Sequence, residues 1–179
     1  MRQLHILTNN IKTVNQLTQQ LYKSGVKENN IHVVHKDHSL IQFHGLNDSS
    51  FWQELDIIHC GQRGLLIGLL VGLTAGNGLL LFFPEASEHL ALIIFVIGLL
   101  TAFSTWVGGM IGAAHDNYRI APYHHHLKKG SFLLLVDIEP NQLVTVKQIV
   151  QQQHNAQYVG STSTISNPFN GGELVRHDF

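Results

Sequence analysis

Three patterns of apolar and polar positions follow one another along the chain. Over residues 2–8, Leu4 and Ile6 alternate with polar neighbours, the period of a strand. Val14, Leu17 and Leu21 then recur at helical spacing, and Gly25 supplies the stop expected after such a helix. Residues 30–36 (Asn-Ile-His-Val-Val-His-Lys) predict a second strand, so the first 45 residues read β-α-β. The pattern changes at Gly64. From there to Ala114 no Lys, Arg or Asp occurs, and the two carboxylates, Glu85 and Glu88, fall together in one short break. Apolar runs at 65–83 and 90–111 flank that break. After residue 130 the first pattern returns. A near-continuous apolar strand is expected at 131–138, then Pro140 in the first turn of a helix that turns Leu143, Val146 and Val150 inward, then a final strand at 156–161.

The two apolar runs predict a transmembrane helical hairpin. At 1.5 Å per residue they reach about 28 Å and about 33 Å, and a hydrocarbon core is roughly 30 Å thick. Arg63 precedes the first span and Arg119, Lys128 and Lys129 follow the second, whereas Pro84–His89 carries no Lys or Arg. Basic flanks mark the cytoplasmic side, so both termini are expected there and the loop is expected outside.

Gly64, Gly68, Gly72 and Gly76 stand four apart and strip one face of the first span to backbone. Ser104, Gly108 and Gly112 form a matching series on the second span. In a tight antiparallel hairpin Gly68 is expected near Ser104 and Thr105, and Gly64 near Gly108 and Gly109. The small faces fit packing within one hairpin or between subunits. Thr74, Asn77, Thr101, Ser104 and Thr105 are the polar residues of the spans. Asn77 is the costliest to bury unpaired, so a bond across helices or a wet cavity is expected for it.

The polar flanks are each too short for a core of their own, so they are expected to fold together. Two β-α-β halves make an α+β, ferredoxin-like β-α-β-β-α-β sandwich, with the two-helix transmembrane hairpin inserted between strands 2 and 3. The expected organisation is a first half at 1–45, an interfacial connector helix at 46–64 and the hairpin at 65–114. A returning connector at 115–130, helical around Pro122, leads to the second half at 131–163 and a flexible tail at 164–179. In the first connector Phe51, Leu55 and Ile58 are expected on one face, with Trp52 in an interfacial belt.

Composition narrows the chemistry. Eleven basic residues against twelve acidic ones give no basic patch of the kind nucleic acid requires. The single cysteine, Cys60, precludes an internal disulfide and fits a reducing face. Its expected role is that of a small buried residue. Thirteen histidines raise the question of a metal. His32, His35 and His38 are spaced poorly for convergence on a strand, and no zinc-protease or Cys/His zinc spacing is present. His115 with His124, His125 and His126 is the weak candidate cluster, one that would also titrate between roughly pH 5 and 8. There is no nucleophile elbow, Walker loop or dinucleotide fingerprint, so no enzyme activity and no cofactor are expected.

Four stretches, Asn30-Ile-His-Val-Val34, Gly64-Leu-Leu-Ile-Gly-Leu-Leu-Val-Gly72, Trp106-Val-Gly-Gly-Met-Ile-Gly112 and Leu127-Lys-Lys-Gly-Ser-Phe-Leu-Leu-Leu-Val-Asp137, occur in this order. Together with Tyr123, Leu127 and Gly130 before the third strand and the closing Gly160-Ser-Thr-Ser-Thr-Ile segment, they resemble a family of bacterial inner-membrane proteins related to the general stress protein 17M-like domain. The resemblance runs from about Arg2 to Phe169. It implies the hairpin-in-a-sandwich layout and a bacterial inner membrane. It implies no activity, so no functional residue is carried over from it.

The leading expectation is therefore a non-enzymatic, multi-pass inner-membrane protein that self-associates as a homo-oligomer in the lipid bilayer through small-residue spans. Its cytosolic domain would serve assembly or regulation, in a stress-related setting. Two alternatives come from other classes: a channel or transporter for a small cation or solute lined by Thr74, Asn77 and Ser104, and a metal- or pH-sensing regulator using the connector histidines.

Overall fold

The strand on which the sheet is built is β1 (Arg2–Thr8). It pairs antiparallel with β3 (Phe132–Ile138) along its whole length, from Arg2 opposite Ile138 to Thr8 opposite Phe132. On its other side it pairs antiparallel with β4 (Ala156–Ser163), with a register shift between His5 and Ile6. β2 (Ile31–Val34) pairs antiparallel with β3. The computed structural model describes residues 1–164, 166–169 and 174–176, and for Phe51, Pro84, Ala86 and Ser87 the backbone alone. Among the described residues the sheet has four strands, in the order β2-β3-β1-β4. The fold is α+β, and the described residues divide into two compact units.

The first unit holds residues 1–54 and 119–164. Helices α1 (Ile11–Lys23) and α7 (Leu143–Gln151) turn Val14, Leu17, Leu21, Val146 and Val150 onto one face of the sheet. There they meet Leu4, Ile6, Ile31, Val33, Phe132, Leu134, Val136 and Ile138. The Asn10 side chain caps α1 by accepting from the Lys12 N–H at 2.9 Å. Gly25, at φ +90°, ends it. The Val26 N–H reaches back to the Leu21 carbonyl and the Gly25 N–H to that of Tyr22, a Schellman closure that needs a left-handed residue at Gly25.

β3 is apolar on both sides because both sides are covered. Leu133 and Leu135 face away from α1 and α7, and with Val34, Ile120 and Leu127 they form a second small core. The segment that follows the second long helix supplies that cover, as a 3-10 turn at Ala121–Tyr123 and α6 (His124–Lys128). One short helix was not expected, α2 (His38–Phe43), capped by the Asp37 side chain; another, α3 (Phe51–Glu54), is a short piece of the expected connector helix. Between them the Val33 N–H donates to the Asn47 carbonyl and the Val33 carbonyl accepts from the Ser49 N–H along the free side of β2, which shields that edge.

The second unit holds residues 55–118 with the described tail residues. It consists chiefly of α4 (Ile57–Phe82) and α5 (Leu90–Ala113), antiparallel and joined by a 3-10 turn at Pro84–His89. Both helices are long and apolar enough to cross a membrane. In chain order they lie between β2 and β3, which are sheet neighbours.

Two sequence expectations need correction here. The separate interfacial helix at 46–64 is absent: α3 stops at Glu54, Leu55 bridges to Asp116, and residues 57–64 are the first two turns of α4. Leu55 is buried and Ile58 is 53% exposed, so they do not share a face, and the Phe51 side chain lies outside the described residues. Gly61 and Gly64 do not break the helix, and Gly64 is buried against Ser104 and Thr105 of α5. The tail at 164–179 is tied down where it is described. Arg63 Nε donates to the Pro168 carbonyl at 2.9 Å, Ser166 donates to Gln62, and the Asp116 N–H reaches the Val175 carbonyl at 2.7 Å. Residues 165, 170–173 and 177–179 lie outside the described residues.

Candidate functional site

The two long helices are inside out relative to a soluble core. Along α4 the buried residues are His59, Cys60, Gly64, Gly68, Gly72 and Gly76; along α5 they are Ile93, Gly108 and Gly112. Large side chains point outward, with Leu81 at 79%, Phe82 at 81% and Ile94 at 69% exposure. Glycine is buried here because it lets two backbones touch. A methyl built on Gly68 would lie 2.7 Å from Ser104 Cβ and 2.8 Å from Thr101 Cα. One on Gly64 would strike the Ser104 carbonyl, one on Gly108 the Cys60 carbonyl, and one on Gly112 the Asp56 carbonyl. Toward the loop Gly72 and Gly76 both face Ile97: at Gly72 its backbone is nearest, at 3.1 Å, and only at Gly76 does the contact become side chain, with Ile97 Cδ1 2.9 Å from a methyl.

The small-residue faces thus meet within one hairpin. Gly64 lies beside Gly108, as the sequence led one to expect, whereas Gly68 faces Thr101 and Ser104 in place of Thr105. Thr101 lies one turn from Ser104 on the same helix face, so the offset is under one turn. Among the described residues, backbone comes into close contact from Gly112 opposite Asp56 to Gly72 opposite Ile97.

Four polar side chains of α4 and α5 bond within their own helix, among them Asn77, for which a bond across helices or a wet cavity was expected. Thr74 Oγ1 donates to the Leu70 carbonyl, Asn77 Nδ2 to that of Leu73, Thr101 Oγ1 to that of Ile97 and Thr105 Oγ1 to that of Thr101, each at 2.7–2.8 Å and each four residues back. A carbonyl of the same helix is always within reach, and it satisfies the donor without constraining a partner. Asn77 is exposed on α4, and its amide nitrogen is used within its own helix.

At the base of the hairpin three metal-competent side chains converge that the sequence analysis did not combine. The Asp56 carboxylate stands at the cap position of α4 yet makes no side-chain cap. Its Oδ2 instead lies 2.9 Å from His59 Nδ1 and accepts from the Cys60 thiol at 3.3 Å. Its Oδ1 accepts the Tyr118 N–H at 3.3 Å, and the Tyr118 ring packs on His59 with centroids 4.5 Å apart. All three are buried, at 2%, 3% and 7% exposure. Cys60 also lines a largely apolar cavity of about 410 Å³, bounded by Arg63, Phe103, Val107, Ile111 and Leu174. The signal was present as Asp56-x-x-His59-Cys60, whose i, i+3 and i+4 spacing puts the three on one helix face. It was missed because the expected connector helix at 46–64 was read only for its apolar face, Phe51, Leu55 and Ile58.

The candidates that the sequence did single out fare differently. His115 Nδ1 sits 2.6 Å from the Ile111 carbonyl, closing the end of α5. His124, His125 and His126 are the first three residues of α6, and neither metal-competent group among the described residues includes any of these four. The second such group is His38, Asp48 and Glu54 in the first unit. His38 Nδ1 is 2.9 Å from Asp48 Oδ2 and its Nε2 3.8 Å from Glu54 Oε2, so one ring is shared between two carboxylates. Ser49 donates to the other Glu54 oxygen.

The far face of the sheet carries a polar seam. His5 is 1% exposed; its Nε2 lies 3.1 Å from the Thr162 hydroxyl and its Nδ1 3.3 Å from the Tyr123 hydroxyl. Burial, and after it the Arg119 guanidinium, lowers its pKa from 6.5 to about 4, so the ring is neutral at physiological pH. Burial lowers His32 as well. Comparison with protein-family models, with curated proteins and with solved structures finds no match.

Proposed function

We propose that this chain is a non-enzymatic, multi-pass protein of a bacterial inner membrane. In this reading α4 and α5 span the bilayer as one closed hairpin, both termini are cytoplasmic, and the α+β unit is a ferredoxin-like domain of β-α-β-β-α-β topology that serves assembly or regulation. The observation that carries it is the inverted burial of the hairpin: glycines inside and leucines, isoleucines and phenylalanines outside. An apolar surface of that length is stable in hydrocarbon and costly in water. The sheet order supports the ferredoxin-like part, since β2 and β3 are neighbours and their connection can carry a hairpin without disturbing the ladder.

Self-association remains part of the reading, but on a different face. The Gly64–Gly76 series is occupied by α5 of the same chain, so a second copy would meet the outward surface. Gly98 and Ala102 stand four apart on α5, both exposed, and a methyl on Gly98 would meet nothing within 4 Å. A path for solute between α4 and α5 of one hairpin is disfavoured by their backbone contact.

The test is cysteine accessibility in a Cys60→Ser background. Glu88→Cys should react with a membrane-impermeant maleimide from outside intact spheroplasts, and Lys23→Cys only after permeabilisation. The chain should also stay with the membrane through alkaline carbonate. Release by carbonate, or labelling of both positions from one side, would overturn the reading.

A further inference from the structure

We propose that Asp56, His59 and Cys60 form a binding site for a thiophilic divalent metal ion of the zinc class. The ligand atoms Asp56 Oδ2, His59 Nδ1 and Cys60 Sγ all lie within 4.8 Å of one another. In a tetrahedral zinc site, bonds of roughly 2.0–2.3 Å place an oxygen and a nitrogen about 3.3 Å apart, and an oxygen and a sulfur about 3.6 Å apart. The observed 2.9 Å and 3.3 Å are therefore hydrogen-bond spacings that need to open by only a few tenths of an ångström.

Charge favours occupation. Binding takes the proton from the Cys60 thiol, which leaves to solvent, and moves the His59 proton from Nδ1 to Nε2, so that Nδ1 offers its lone pair. Carboxylate and thiolate then balance the two positive charges of the ion, and a neutral cluster is far cheaper to bury than an unpaired charge. The donor set selects the metal class. One thiolate, one imidazole and one carboxylate suit zinc or cobalt and are wrong for the hard, all-oxygen shells of magnesium and calcium.

The supports around the site are also in place. Asp56 is fixed by the Tyr118 N–H on its other oxygen and by its own N–H, which donates to the Gly112 and His115 carbonyls, both at 3.1 Å. Gly112 is the α5 residue that lets Asp56 approach so closely. Of the three, Cys60 also borders the cavity, which would give room for water or an exogenous fourth ligand on that side. The His38, Asp48 and Glu54 group makes the contrast: it has no sulfur, its imidazole is 44% exposed, and the carboxylates approach opposite nitrogens of one ring.

The test uses the full chain without a histidine tag, stripped with chelator in detergent micelles and titrated with Co²⁺. One equivalent per chain should give a thiolate-to-cobalt charge-transfer band and the visible bands of a tetrahedral site. Zn²⁺ should abolish both. Because Cys60 is the chain's single thiol, the charge-transfer band has one source. Its reaction with a disulfide reagent should slow at least tenfold when metal is bound and recover with chelator. Cys60→Ser should lose the band, His59→Gln should weaken binding at least tenfold, and His38→Gln should change neither. A wild-type chain that shows no such band, or a thiol equally reactive with and without metal, overturns the proposal, and neither result depends on any variant folding.

Discussion

Gly108 lies against Gly64 across the hairpin, so closely that a methyl on Gly108 would stand 3.1 Å from the Gly64 Cα and collide with the Cys60 carbonyl. Nothing at this height of the seam can yield, since every opposing atom is backbone. Toward the loop backbone atoms still oppose Gly68 and Gly72, and they give way wholly to side chains at Gly76. At Gly76 the nearest is the free end of Ile97.

That gradient predicts a graded alanine series. Gly64→Ala and Gly108→Ala should each destabilise the hairpin by roughly 1–3 kcal/mol, the usual range for overpacking, whereas Gly76→Ala should cost well under 1 kcal/mol because Ile97 can change rotamer. Thermal unfolding in detergent, followed by near-ultraviolet circular dichroism, reads the order. Equal losses at all three positions would mean that the seam is not closed in this way.

Asn77→Leu should leave hairpin stability within about 0.5 kcal/mol of the original chain, because the amide satisfies the Leu73 carbonyl of its own helix. The measurement belongs in detergent dilute enough to keep chains apart. A loss well above 1 kcal/mol would show that Asn77 bonds across to α5 after all.

His5 predicts an acid limb in the stability of the sheet unit. The unfolded chain takes up the proton near 6.5 and the folded unit near 4, so between these values the unfolded state binds more protons. The contribution of His5 is complete above pH 6.5 and is lost progressively as pH falls toward 4, by at most about 3 kcal/mol. His32, also lowered by burial, acts in the same sense. Denaturation between pH 7.5 and 4.5 should therefore be shallower in His5→Gln than in the original chain. Parallel curves for the two would remove His5 as the source.

Gly160 and Tyr123 should behave as a coupled pair. A methyl on Gly160 would stand 2.9 Å from the Tyr123 hydroxyl, which itself donates to the Val159 carbonyl at 3.4 Å. Gly160→Ala should cost about 1 kcal/mol alone and close to nothing once Tyr123→Phe has removed the hydroxyl. Additive losses in a double-mutant cycle would show that the strand shifts to make room instead.

Local periodicity carried most of the architecture. Leu4 and Ile6 alternate, Val14, Leu17 and Leu21 follow a helix, and the charge-free runs announce two long apolar helices, because each of these signals is written in a few neighbouring residues. Boundaries were weaker. α4 begins eight residues earlier than its apolar run, since helical hydrogen bonding continues through Gly61 and Gly64. α2 was missed for the opposite reason: six residues with a single buried apolar position, Ile41, carry too little period to register.

The sequence by itself determined which faces are small, which runs are apolar and in what order the elements come, because these properties belong to each residue and its near neighbours. Only the tertiary structure decided that the glycine face is filled by the chain's own second helix. It also decided that Asn77 turns back on its own helix and that Asp56 gives up its cap to meet His59 and Cys60. The first outcome depends on which backbones pack within about 3 Å of each other across the hairpin. The other two depend on where α4 begins and on which of its own acceptors each side chain takes, neither of which is written in the apolar pattern.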